Sequence, residues 1–335
     1  MSAPRKNAGL LPEKAGFPGK SRRLSKFFDG ESASPGPNRR LRIVKRARTR
    51  VLAYTVPEGW AGPVKRFARE YLGFSARALS AQKYEGGIWV NGLMRHADFC
   101  LAPGDRLRFP IAPEEMGYPP VELPLSIVYE DGDFLIVDKA QGMPVHPSPG
   151  HDADSLLNAV AFYYRRTGQA HRVRPLYRLD KDTGGLLAIA KHRAAAGAAL
   201  RKRYLAVCEG VLTGGGTVDA PIGLGPGSKI VRVCGPGLPG GQPAVTHWQA
   251  LKTDGSHTLL GLTLETGRTH QIRAHMAYLG HPLAGDDLYG GSLAVVQRQA
   301  LFCAELHVIC RAVGLDREFR GQLPSHVRDA FPRLL

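Results

Sequence analysis

Cysteine is scarce in this sequence, five among 335 residues. Cys100, Cys208, Cys234, Cys303 and Cys310 form no Cys-x-x-Cys pair, so neither a zinc site nor a disulfide framework is indicated. A reducing cytoplasm is the simplest setting for such a chain. Long apolar runs are missing as well: no stretch of eighteen or more apolar residues occurs, which excludes an ordinary transmembrane helix and any membrane partner that depends on one. His270, His275 and His281 have no carboxylate at the spacing of a metalloprotease helix, so no metal is expected there. Acidic residues are also in short supply. Against 29 Asp and Glu stand 45 Lys and Arg, and the net charge of +16 favours a polyanionic partner.

The basic excess is concentrated at one end. Residues 1–50 hold fourteen basic and three acidic side chains in a background rich in Gly, Pro and Ser, which predicts a disordered basic arm. Such an arm binds phosphates without reading sequence, and a solubilising tail is the plainer alternative. Glu13, Asp29 and Glu31, with no apolar core after them, argue against a transit peptide. Residues 54–111 predict a small α+β unit. Two short amphipathic helices, 64–72 and 75–83, carry Lys65, Arg66, Arg77 and Lys83. An Asn91-Gly92 hairpin dipeptide follows, then a strand over 106–109. Residues 112–122 form a linker, and 123–335 the main body.

In the main body short strands joined by Gly and Pro turns dominate, with helices expected at 155–166 (capped by Asp154 or Ser155), 271–279 and 324–331, an α+β composition. The Gly- and Pro-rich segment 214–241 reads as an exposed loop pair around a short strand at 230–234, where Lys229 and Arg232 would meet a polyanion. The most informative stretch is 175–191. Its apolar run Leu186-Leu187-Ala188-Ile189-Ala190 reads as a buried strand, and the charged cluster ahead of it places Asp180 at a turn where the sheet ends. Gly184 and Gly185 let another backbone come close. Arg178 and Asp180, two apart, share a face and would by themselves suit a structural ion pair. A second donor-rich cluster, 264–275, follows a strand-like run at 259–264, and the two clusters together suggest a single cleft.

These segments resemble a known family. Arg178-Leu179-Asp180-Lys181-Asp182-Thr183-Gly184-Gly185-Leu186, then Arg203-Tyr204-Leu205-Ala206, then Thr266-Gly267-Arg268-Thr269-His270-Gln271-Ile272-Arg273 are similar, in order, to the three motifs of RluA-type RNA pseudouridine synthases. The flanking segments 129–147 and 280–291 extend the likeness, which covers roughly residue 123 to the C-terminus. The resemblance implies a mixed, largely antiparallel central sheet and a reaction that breaks the uracil N1–ribose bond and rejoins the base through C5, without cofactor.

By the same resemblance Asp180 is the catalytic carboxylate, acting either on the anomeric carbon or on a ribose proton. Burying a carboxylate costs several kcal/mol unless a cation answers it, and Arg273 is the matching cation. Tyr204 would lie against the target base and serve in proton transfer at C5. Arg178 would fill the space left by a flipped-out uridine, unless it is merely half of an ion pair. Thr183, Arg268, Thr269, His270 and Gln271 are the further candidate substrate-binding residues.

Residues 54–111 resemble the ribosomal-protein-S4-like RNA-binding domain, with Lys65, Arg66, Arg77 and Lys83 as its candidate contacts. The chain is expected to act as a monomer on structured RNA, ribosomal RNA ahead of tRNA. Two departures from the family pattern stand at the turn: Tyr177 replaces a common histidine and Gly184 a common serine. A third is length, since residues 192–203 are read as a shortened Ala-rich helix, 193–202. A glycoside hydrolase using Asp180 with Asp182, and a noncatalytic RNA-binding or ribosome-assembly protein, are the rival functions.

Overall fold

The computed structural model describes residues 50–335. The expected basic arm therefore lies outside the described residues, apart from Arg50. Residues 50–111 form a four-stranded antiparallel sheet of β1 (Arg50–Thr55), β2 (Ile88–Val90), β3 (Leu93–Arg95) and β4 (Arg106–Ile111), in the order β1-β4-β2-β3. Asn91 and Gly92, at φ 51° and 83°, make the two-residue turn between β2 and β3, since both central positions of such a turn need positive φ. Alternation puts Leu107, Phe109 and Ile111 inward, where they meet Phe67 and Phe74.

The helix expected over 64–72 is two pieces, an α-helical turn Val64–Arg66 and a π-helical turn Phe67–Tyr71. The next helix, Ala76–Ala81, is capped by Ser75, whose Oγ accepts from Ala78 N at 3.1 Å.

The main body is built on a ten-stranded sheet. Its strands are β5 (Ser126–Glu130), β6 (Phe134–Lys139), β7 (Gly184–Ala190), β8 (Ala199–Glu209), β9 (Gly215–Asp219), β12 (Val245–Thr253), β13 (His257–Leu264), β14 (Leu301–Cys310) and β15 (Leu315–Arg320), with the two-residue strand Arg174–Pro175. A separate hairpin supplies β10 (Ile222–Leu224) and β11 (Arg232–Cys234). The main path runs β9-β12-β13-β8-β14-β7-β6-β5, with β15 paired to β14. All its pairings are antiparallel except β7 with β14, so the sheet is mixed and largely antiparallel, as the resemblance implied.

That single parallel contact sits mid-sheet, at Gly184 and Gly185. Every residue of β7 is buried, which explains its unbroken apolar run. Gly185 has φ 104°, and a Cβ there would stand 2.4 Å from Cys303 O, so no other residue fits. Helix Leu156–Arg166 packs on this core and is closed by a capping box between Ser155 and Asn158. Among the described residues no helix is long and apolar enough to cross a membrane.

Two expectations need correction. The Ala-rich run 193–202 is not a helix: a 3-10 turn, Ala195–Gly197, leads at once into β8, whose first residues pair with β14 from Ala199 against Ile309 onward. Alanine's helix propensity amounts to only a few tenths of a kcal/mol per residue over most others, and a full row of ladder hydrogen bonds overrides it. Segment 214–241, expected as loops around one strand, contains β9, β10 and β11. The last begins at Arg232 because Ser228 Oγ takes the amides of Ile230 and Val231 at 3.1 and 2.9 Å.

Candidate active site

The turn ahead of β7 carries Asp180 to the floor of a cleft of about 640 Å³. It is closed locally by Thr183 N donating to Asp180 O at 3.1 Å. Buried side chains hold it from below. Lys139 Nζ, at the end of β6, donates to Ala140 O, Met143 O and Lys181 O at 2.9, 2.8 and 2.9 Å. Burial pushes its pKa down to about 8, against the pull of the Asp182 and Asp180 charges. Gln141 Nε2 donates to Asp182 O at 2.9 Å and Gln299 O at 2.8 Å, and Gln299 Nε2 donates to Thr183 Oγ1 at 2.9 Å. These bonds anchor the turn without a hydroxyl at 184. A Cβ at Gly184 would stand 2.9 Å from Phe302 Cδ1, so the aromatic ring occupies the room a serine would need.

The back wall comes from helix Gln271–Tyr278. Arg273 is buried and grips Asp286 with two hydrogen bonds of 2.7 Å, Nε to Oδ2 and Nη2 to Oδ1. Its remaining nitrogen, Nη1, reaches toward Asp180 Oδ2 at 3.7 Å. Burial opposes the guanidinium charge, but the hydrogen bonds and charge of Asp286, with Asp180 behind them, more than compensate and raise its pKa. The guanidinium also lies 4.9 Å from the centre of the Tyr289 ring. His270, left-handed at φ 58°, begins the helix, and its Nδ1 lies 3.0 Å from Tyr289 Oη. Burial lowers its pKa, against the pull of the Asp180 charge.

Tyr204 enters the cleft from β8, at an irregularity in the β8/β14 register between Arg203 and Tyr204. Such bulges re-aim side chains beside active sites. Burial, then the nearby Cys303 and Asp180, raise its pKa well above the ordinary phenol value, so it presents a protonated hydroxyl. Lys202, two residues earlier, lines the same cleft, with Nζ 4.4 Å from the centre of the Tyr177 ring and a pKa lowered by burial. Tyr177 is itself pinned by donating from Oη to Leu186 O at 2.6 Å.

Arg178, Asp180, Tyr204, Arg268 and Thr269 therefore line one cleft, with Arg273 at its back. Arg178 is exposed, and among the described residues it forms no ion pair, which removes the plainer reading of the Arg178/Asp180 pair. Thr183 and Gln271 do not line the cleft. Thr183 is buried on Gln299, and Gln271 is buried among Thr266, Arg268, Val245 and Thr246. Asp182 faces Arg298 at 3.6 Å and is no part of the lining. His275 and His281 contact Thr246, Ala220 and Glu209. Of the candidate RNA contacts, Lys65 pairs with exposed Asp98 at 2.6 Å and Arg66 stacks on Trp60.

Sequence reasoning missed Asp286, Lys139, Gln141, Gln299 and Lys202 as members of this site. Lys202 has a signal, since it stands two residues from Tyr204 on one strand. Gln299 has none, because its contact spans 116 residues.

Residues 133–278 match the family model described as RNA pseudouridylate synthase. An uncharacterized RNA pseudouridine synthase of Bacillus subtilis, YjbO, is 39% identical over 274 residues, 78% of this chain and 95% of that protein. The chain belongs to the RNA pseudouridine synthase family. Its RluA-type character is supported by the ribosomal large subunit pseudouridine synthase D of Escherichia coli K12, 39% identical over 234 residues, 63% of this chain and 71% of that protein. Among solved structures, human RNA Pseudouridylate Synthase Domain Containing 1 superimposes with a TM-score of 0.51 at 27% identity, covering 61% of this chain and 86% of that one. As a pseudouridine synthase the chain isomerises uridine in RNA.

Proposed function

We propose that this synthase converts specific uridines of structured RNA, ribosomal RNA ahead of tRNA, to pseudouridine, with Asp180 acting at the ribose of a flipped-out uridine. The carrying observation is the arrangement of Asp180 at the cleft floor, Arg273 at 3.7 Å behind it and Tyr204 in the same lining. In the reaction the N1–C1′ bond breaks, the uracil turns over, C5 bonds to C1′, and the C5 proton is lost as N1 gains one. Nothing is oxidised and no water is consumed. Asp180 either attacks C1′ or takes a ribose proton, and Arg273 holds the carboxylate in position for either. The protonated Tyr204 is suited to stacking on uracil and to exchanging a proton at C5.

Unpaired Arg178 stands at the mouth of the cleft, where it offsets part of the few kcal/mol that unstacking a uridine costs. Arg232, Arg178 and Arg268 also line an adjoining recess of about 440 Å³, suited to phosphates. Thr269 shapes the wall toward the base, and His270, held on Tyr289, supports it with Thr183 and Gln271. Residues 54–111 serve as an S4-like RNA-binding unit. Ribosomal RNA is favoured because relatives in Escherichia coli and Haemophilus ducreyi are named for the ribosomal large subunit.

The test is Asp180→Asn in the full chain. Pseudouridine formation on ribosomal transcripts should fall roughly 10³-fold or more while RNA binding persists. Retained activity would overturn the assignment, and an abasic site with free uracil would favour a hydrolase. Pseudouridine maps of strains with and without the gene identify the RNA.

A further inference from the structure

A second cleft, of about 610 Å³, opens where residues 50–111 meet the main body. Ser75 and Arg77 line it from the small unit, and Arg172, Arg174, Arg193 and His146 from the main body. His146 borders both this cleft and the active-site cleft, so the two are neighbours. Two carboxylates pair with two of the four arginines. Glu114 lies 2.5 Å from Arg174 Nη2 and 3.1 Å from Arg193 Nη2, and Glu85 lies 2.9 Å from Arg193 Nε. Among the described residues Arg77 and Arg172 have no carboxylate partner, and both are exposed.

The junction itself is closely fitted. A Cβ at Gly197 would stand 2.4 Å from Gly73 O, so the turn that replaces the expected helix docks the small unit backbone to backbone. Tyr54 Oη donating to Ala312 O at 2.5 Å and Arg50 Nη2 on Asp133 Oδ2 at 2.6 Å fasten it elsewhere.

We infer that this junction is an RNA subsite built by both units, in which Arg77 and Arg172 take phosphates of the substrate backbone on one side of the target uridine. Glu85 and Glu114 spend their charge on Arg174 and Arg193, of which Arg193 ties the small unit to the main body through Glu85, and the unpaired arginines are left facing the groove. Docking through Gly197 keeps the phosphate groove at a set distance from Asp180, so that binding there registers the strand on the active site. The inference rests on the proposed RNA-modifying role of the Asp180 cleft.

The experiment compares full-length wild type with an Arg77→Ala/Arg172→Ala double variant. It measures binding to unmodified large-subunit ribosomal RNA and bulk tRNA transcripts over a salt series, and pseudouridine formation at saturating RNA. Loss of two phosphate contacts should weaken binding on the order of tenfold near 0.1 M salt and make the log–log salt slope shallower by about 1.4. An unchanged affinity and slope, in an enzyme that still makes pseudouridine, overturns the subsite alone. Failure of the wild type to modify either RNA overturns the reading beneath it. Adding Gly197→Ala to the double variant should cost little further affinity. A large additional loss would show that the small unit binds RNA outside this groove, against the proposal.

Discussion

The back of the active cleft and its rim are made of the same residue types put to opposite uses. At the back, Arg273 is buried, doubly bonded to Asp286 and stacked on Tyr289. At the rim, Arg178 is exposed and unpaired among the described residues. A buried cation is oriented by its partner and costs much to disturb. An exposed one is free to answer a phosphate and costs the fold little. The back therefore sets geometry, and the rim supplies attraction that salt can screen.

Mutations at the back should separate cleanly from mutations at the rim. The largest effect is expected from Asp286→Ala, which removes both hydrogen bonds of buried Arg273 and leaves it only the 3.7 Å contact to Asp180: a loss of about 3–5 kcal/mol in denaturant unfolding, with pseudouridine formation lost as well. A near-normal stability would mean that the back is no more rigid than the rim. Lys139→Met removes a donor shared by three backbone carbonyls, of which only Lys181 O keeps another, Gly142 N at 3.0 Å, and should cost about 2–3 kcal/mol.

The same lysine gives a pH signature. Its pKa is depressed in the folded chain to about 8 from 10.5, so between those values the unfolded chain holds more protons and this group's contribution to stability rises with pH. Turnover should move the other way. As the ammonium loses a donor near pH 8 the turn loosens, and a pH–rate profile should decline there in the wild type, while Lys139→Met is slower and flat across that range.

Gly184→Ser restores the residue common in the family but meets the Phe302 ring. We expect about 1–2 kcal/mol of destabilisation and no gain in rate, checked by thermal melting beside turnover. The smallest effect on stability belongs to the rim. Arg178→Ala should stay within about 0.5 kcal/mol of wild type and instead make the salt dependence of RNA binding shallower by about 0.7.

Much of the fold was legible in the sequence. The unbroken apolar run of β7, the Asn91-Gly92 turn of the small unit and a helix cap at Asp154 or Ser155, which the structure assigns to Ser155, each follow from short-range rules that the fold leaves in force. The run 193–202 misled because its alanines favour a helix only weakly, while the ladder to β14 involves residues a hundred positions away. The site divided along the same line. Asp180, Tyr204 and Arg273, which the structure gathers at one cleft, belong to motifs contiguous in the chain. Asp286 lay inside a recognised segment without a role, because its meaning is its pairing with Arg273. Thr183 and Gln271 were placed in the correct region but not distinguished from groups that face the cleft.

By itself, the sequence determined the chemistry available to this protein: one carboxylate at a glycine-flanked turn, an arginine and a tyrosine in family order, and an excess of positive charge. Local propensity and motif spacing carry that information because each depends on residues close together in the chain. Only the tertiary structure decided which arginine is locked and which is free, what holds the Asp180 turn in place of a hydroxyl at 184, and that the small unit and the main body share a groove. Those outcomes depend on burial and on contacts between distant segments, and both exist only once the sheet has brought the segments together.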